Sequence, residues 1–66
     1  MSSMITTEKE ALFHLYHTEE QYERGEFSRN ALESKLEYFV FVLDGFNSSK
    51  AEEQRIRLNK KYGFSI

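Results

Sequence analysis

The fold of this chain turns on Leu36-Glu37-Tyr38-Phe39-Val40-Phe41-Val42-Leu43. Seven of its eight residues are apolar or aromatic, and no other stretch of the chain is as dense. Its β-branched and aromatic content, free of Gly and Pro, also suits a buried strand, so residues 38–43 carry a strand alternative. Three features select a helix instead. Leu32, Leu36, Phe39 and Leu43 follow steps of four, three and four, which is one helical stripe, and Ala31, Tyr38 and Val42 form a second beside it. Ser28 stands where an N-cap belongs, with Phe27 and Leu32 at the spacing of a hydrophobic staple. Gly45, after Asp44, predicts a left-handed C-terminal cap that would fold Phe46 back onto Phe41. The reading is a helix over residues 29–44, apolar around more than half its circumference in the second half. Such a helix needs cover on more than one side.

Upstream of this helix, Arg24-Gly25-Glu26-Phe27-Ser28 reads as a short turn. Before it, Thr7 and Glu10 have capping-box spacing and open a helix over residues 8–24. Ala11, Leu15, Thr18 and Tyr22 form its apolar stripe, flanked by Leu12 and Tyr16, while Glu10, His14, His17 and Gln21 fall on the polar side. A connection this short makes the two helices an antiparallel hairpin. On the other side, Phe46-Asn47-Ser48-Ser49 is a loop, and Ser49 with Glu52 again has capping-box spacing. The third helix is expected over residues 50–62, its acids early and its bases late, as the helix dipole favours. Ala51, Leu58 and Tyr62 share its thin core side, Ile56 points away, and Gly63 ends it. Phe64-Ser65-Ile66 forms an apolar tail that either covers the second helix or joins an interface; Met4 and Ile5 sit in a leader.

Sixty-six residues make one domain, residues 1–66, of all-α class. A chain this small buries only roughly 60% of its unfolded surface. With no cysteine, neither a disulfide nor a thiolate site can staple it. Six Phe and four Tyr are a large payload for such a core, so pairing with a second copy or another protein is expected. Net charge is −2, unevenly placed: residues 1–44 hold nine acids and four bases, residues 45–66 two acids and five bases. No run has the length of a membrane span, and the N-terminus lacks the pattern of a signal peptide, so a cytoplasmic protein without membrane contact is expected.

Gly25-Glu26-Phe27-Ser28 followed by Leu32-Glu33-Ser34-Lys35 gives a Gly, an apolar residue, a capping Ser, a second apolar residue, then Glu and Lys. Over residues 12–36 the hairpin resembles the short helical hairpins called SHOCT domains. Such hairpins are thought to serve in association, but any helix–turn–helix with a cap and a staple shows the same pattern, and no function is carried over from it. The chain departs from that pattern in carrying a third helix after the hairpin.

Candidate chemistry is sparse. Glu10, His14 and His17 have spacing that can bring three metal-capable groups to one helix face, although no Cys or further His completes a site; no cofactor is expected. Arg55, Arg57, Lys60 and Lys61 are candidate phosphate contacts, set against the acidity of the whole and already accounted for by the helix dipole. The acidic run Glu19 to Glu26 is a candidate docking surface for a basic partner. Off-stripe apolar residues weigh most: Phe13, Phe41 and Ile56, together with the tail residues Phe64 and Ile66, are the candidate partner-binding set. No cysteine nucleophile, Gly-rich phosphate loop or serine or metal motif is present, so no catalysis is expected. The sequence therefore predicts a small accessory or regulatory protein-binding factor acting through aromatic residues, alone or as a homodimer. Its type is common among phage and mobile-element accessory proteins. The alternatives are a nucleic-acid binder using the third helix and a metal-binding helical protein.

Overall fold

A computed structural model describes residues 6–66. The leader residues Met4 and Ile5 lie outside the described residues. Three helices follow in order: α1 Glu8–Glu23, α2 Arg29–Gly45 and α3 Ser49–Tyr62. The described residues contain no strand, so the 38–43 stretch is helical throughout.

Each helix begins on a hydroxyl cap. At α1, the Glu10 N–H donates to Thr7 Oγ1 at 3.1 Å, while the Glu10 carboxylate reaches back to the Thr6 N–H (3.1 Å) and Thr6 Oγ1 (2.8 Å). The capping box thus closes one residue further upstream than its spacing implies. At α2, the Ala31 N–H donates to Ser28 Oγ at 3.2 Å, as expected. At α3 the cap is Ser48, accepting from the Lys50 N–H at 3.0 Å; Ser49 is already helical, one residue earlier than its spacing with Glu52 predicts.

The helix ends hold one correction. α1 ends on Gly25 (φ +79) and α3 on Gly63 (φ +76), both left-handed. α2 does not end that way at Gly45, which remains helical. Its left-handed residue is Asn47 (φ 55). Asn tolerates this region better than most non-glycine residues. One extra step of helix lets the Asn47 N–H donate to Asp44 O (2.9 Å) and the Ser48 N–H to Leu43 O (3.4 Å), satisfying two terminal carbonyls. Phe46 consequently leaves the helix on a different course, and Phe41 is 72% exposed.

α2 is the central element: α1 packs on it antiparallel, and α3 packs along it in the opposite sense to α2. The core joins Ala11 and Leu15 of α1, Leu32, Leu36, Val40 and Leu43 of α2, and Ala51 and Leu58 of α3. On α2 the buried seam uses Val40, which belongs to neither predicted stripe, and leaves Phe39 and Val42 half-buried and Tyr38 exposed. Steps of four, four and three place the seam slightly round the helix, because α3 covers one flank of α2 and α1 the other. Phe64 closes the lower end of the core at 7% exposure, with Ile66 partly buried beside it. The tail therefore covers the helices. Phe64 lies between the Tyr62 ring (centroids 5.2 Å) and the Arg29 guanidinium (4.5 Å), and the Ile66 N–H donates to Asn59 Oδ1 at 2.9 Å.

Candidate functional site

Two surfaces carry the chemistry of the molecule, one charged and one aromatic. The charged one lies between α1 and α3, whose Cα atoms nowhere approach within 8 Å among the described residues. Long side chains cross the gap in a regular ladder. Gln54 Nε2 donates to Tyr16 Oη at 2.9 Å, Arg57 makes a two-pronged pair with Glu19, and Lys61 Nζ lies 3.6 Å from Glu23. Each rung joins residues 38 apart, so the two helices run parallel in a fixed register.

Glu19 is the hub. It is 5% exposed and accepts from Arg57 at 3.1 and 2.5 Å, from Lys61 Nζ at 3.3 Å and from Tyr62 Oη at 3.0 Å. Burial alone would raise its carboxyl, but the hydrogen bonds and positive charge of Arg57, with Tyr62 and Lys61, outweigh that and hold it below the ordinary carboxylate range. Burial and the neighbouring carboxylate push the Tyr62 hydroxyl up. For Lys61, burial acts downward, and the Glu19 and Tyr62 hydrogen bonds prevail to raise it.

The ladder redistributes the charged candidates of the sequence. The acidic run Glu19 to Glu26 is not one outward surface, since Glu19 turns inward. Of the four candidate phosphate contacts, Arg55 is held by Asp44 (2.7 Å) and Glu52 (2.6 Å), and Arg57 and Lys61 by Glu19; Lys60 is exposed without an ion pair among the described residues. Bases engaged this way have their charge neutralised locally, which weakens their pull on phosphate. Glu10, His14 and His17 do not converge: among the described residues no group of three or more His, Cys, Asp or Glu is placed to hold a metal ion.

The histidines belong to the aromatic surface. His17 stacks on Phe13 (centroids 5.9 Å, planes 3° apart), Phe13 meets His14 edge-on (5.6 Å), His14 stacks on Phe39 (5.8 Å), and Phe39 meets Tyr38 edge-on (5.4 Å). Five rings thus run without a break from the outer side of α1 across the α1–α2 groove to the outer side of α2. His14 and Phe39 are half-buried in the groove; Phe13, His17 and Tyr38 are exposed. Phe13 is 64% exposed. Of the remaining candidate residues, Phe41 is exposed one turn beyond Tyr38, and Ile56 is exposed on the far side of α3 from its core residues. Phe64 and Ile66 are taken up by the core.

Sequence reading missed Glu19, because it grouped this residue with the rest of the acidic run as one outward docking surface. The signal was its position four residues after Leu15, on the flank of the buried stripe. It also assigned the two histidines to a polar face and so overlooked their stacking. No helix among the described residues is long and apolar enough to cross a membrane. Neither a family model, a curated protein nor a solved structure matches the chain, so the resemblance of residues 12–36 to SHOCT hairpins has no support from these comparisons.

Proposed function

We propose that this chain is a non-enzymatic protein-binding factor, accessory or regulatory in role, that docks through the aromatic ribbon of α1 and α2. The observation that supports this reading is continuity: each of the five rings lies within 6 Å of the next, and the ribbon's two ends face solvent. Isolated exposed apolar residues are ordinary, whereas a joined set marks an interaction surface. Aromatic residues bury large area at low entropic cost, and they dominate binding energy at protein interfaces. The exposed carboxylates Glu20, Glu23 and Glu26 at the turn end of the hairpin would orient a partner.

The test is site-specific photocrosslinking. Benzoylphenylalanine is placed at Tyr38, Phe13, Ile56 or Lys60, and the chain is expressed in its native host. Adducts to one common protein from Tyr38 and Phe13, absent from Ile56 and Lys60, are the expected result. No adduct from either ribbon position, or equal adducts from all four, overturns the reading.

A further inference from the structure

α1 has a second exposed face that shares only Phe13 with the ribbon. Lys9, Phe13, Tyr16 and Glu20 follow steps of four, three and four along α1, the spacing of one side of a two-helix seam. All four are exposed, and they lie opposite Ala11, Leu15 and Thr18, which enter the core. Their order is base, aromatic, aromatic, acid. Reversed, that order is its own complement.

In an antiparallel seam each position faces its alternate on the other helix. Here Phe13 would face Tyr16 of a second copy and Lys9 would face Glu20, each twice, about a two-fold axis passing between His14 and Leu15. A parallel pairing would set Lys9 on Lys9 and Glu20 on Glu20, so the charges choose the direction. Neither charge is strongly committed within the chain. Lys9 has no ion pair among the described residues, and Glu20 makes only exposed contacts, to His17 at 3.6 Å and Arg24 at 3.8 Å. Exposed pairs of that kind contribute little. Both aromatics have contacts within the chain: Phe13 is offset-stacked with His17, and Tyr16 accepts the Gln54 hydrogen bond with the Arg57 guanidinium 5.4 Å from its ring. Such contacts reduce the freedom lost on pairing.

We propose that this chain self-associates as an antiparallel, two-fold pair of α1 helices through Lys9, Phe13, Tyr16 and Glu20. The proposal rests on the protein-binding reading above through the shared Phe13, and it names a second copy as the occupant of this face. A stripe of four residues falls well below the ~1,000 Å² of lasting interfaces, so the pair is weak and forms at high concentration.

Sedimentation equilibrium on the full chain tests it, with Lys9→Glu, Glu20→Lys, the double reversal and Phe13→Ala. Far-ultraviolet circular dichroism checks equal helicity, and the exposure of all three positions predicts it. The wild type is expected to show a concentration-dependent dimer. Each single reversal sets like charges together and should raise the dissociation constant about fivefold. Phe13→Ala should raise it about tenfold. The double reversal restores the palindrome and should return to within about twofold of wild type. A wild type that stays monomeric throughout overturns the proposal, as does a double reversal no better than the singles. Tyr38 crosslinks to a different protein that persist in a monomeric chain would leave the protein-binding reading standing while self-pairing falls. Rescue by the double reversal without any Tyr38 crosslink would do the opposite.

Discussion

The Glu19 carboxylate on α1 takes both terminal nitrogens of Arg57 on α3, Nη1 to Oε1 at 3.1 Å and Nη2 to Oε2 at 2.5 Å. The pair joins helices whose backbones stay apart, and only one partner is buried: the Glu19 side chain is 7% exposed, that of Arg57 37%. Removing either partner therefore has unequal effects. Arg57→Ala leaves a buried carboxylate with Lys61 and Tyr62 alone, and should cost about 2–3 kcal/mol. Glu19→Gln leaves Arg57 able to turn to water and should cost about 1 kcal/mol. Arg57→Lys should recover only part of the loss, since an ammonium cannot make the two-pronged contact. Urea unfolding of the three variants measures the order, and equal losses from Arg57→Ala and Glu19→Gln would refute it.

Acid should unfold the protein through the same residue. The folded-state pKa of Glu19 lies below its ordinary value of 4.5. The unfolded chain then binds the proton more readily, so the stabilisation is complete above about pH 4.5 and is lost as pH falls through the folded value. At the alkaline end Lys61 and Tyr62 are raised above 10.5 and 10.0, so their contribution is complete below about pH 10 and is lost as pH climbs through the raised values. Stability against pH should plateau between these limits. Glu19→Gln should flatten both shoulders in thermal melts from about pH 2 to about pH 11. A curve unchanged by that substitution would exclude Glu19 as the source.

Leu36 sits fully buried midway along α2, with Leu32 and Leu43 equally buried before and after it. Leu36→Ala should cost about 2–5 kcal/mol through lost transfer energy and the cavity it leaves. A 66-residue domain has only a marginal reserve. The variant should therefore lose most of its helical circular dichroism at physiological temperature. A cooperative melt within a few degrees of wild type would show that the core lies elsewhere.

The tail gives a prediction of the opposite kind, a conformational one. Gly63 holds φ +76 with room for a Cβ, the nearest atom being Arg29 Nη2 at 3.6 Å. Gly63→Ala should thus cost about 1–2 kcal/mol from the left-handed backbone alone, with no steric clash added. Gly63→Asn should cost less, because Asn accepts that region. Thermal melts of the two variants decide it, and an alanine variant as stable as wild type would mean the turn has another conformation open to it.

Phe41 marks where the sequence could and could not be read. At 72% exposure it should tolerate Ser with a stability change within about 0.5 kcal/mol, checked by urea unfolding. Helix positions and two of three N-caps were legible because capping and periodicity are local: Thr7, Ser28, Gly25 and Gly63 each act within one turn. Gly45 misled, since Gly and Asn can both fill the left-handed role, and here Asn47 fills it, with its N–H on Asp44 O and that of Ser48 on Leu43 O. Val40 and Tyr38 could not be sorted by pattern, since a helix apolar on most sides does not say which neighbour covers which side. The aromatic ribbon and the Glu19 hub were invisible for a related reason. Both join residues on different helices, and their contacts depend on how those helices sit side by side.

The rungs between α1 and α3 recur every three or four residues with a constant offset. An apolar seam would be forgiving, because one Leu replaces another when a helix slides. A row of different polar partners is not. Sliding α3 by one turn would set Gln54 where Arg57 stands, facing a buried carboxylate with a neutral amide. The joint therefore works like the wards of a lock: it admits α3 at one height and one rotation about its own axis. A homologue could change several of its leucines and keep the same shape, but it could not exchange Glu19, Gln54 and Arg57 separately without losing that alignment.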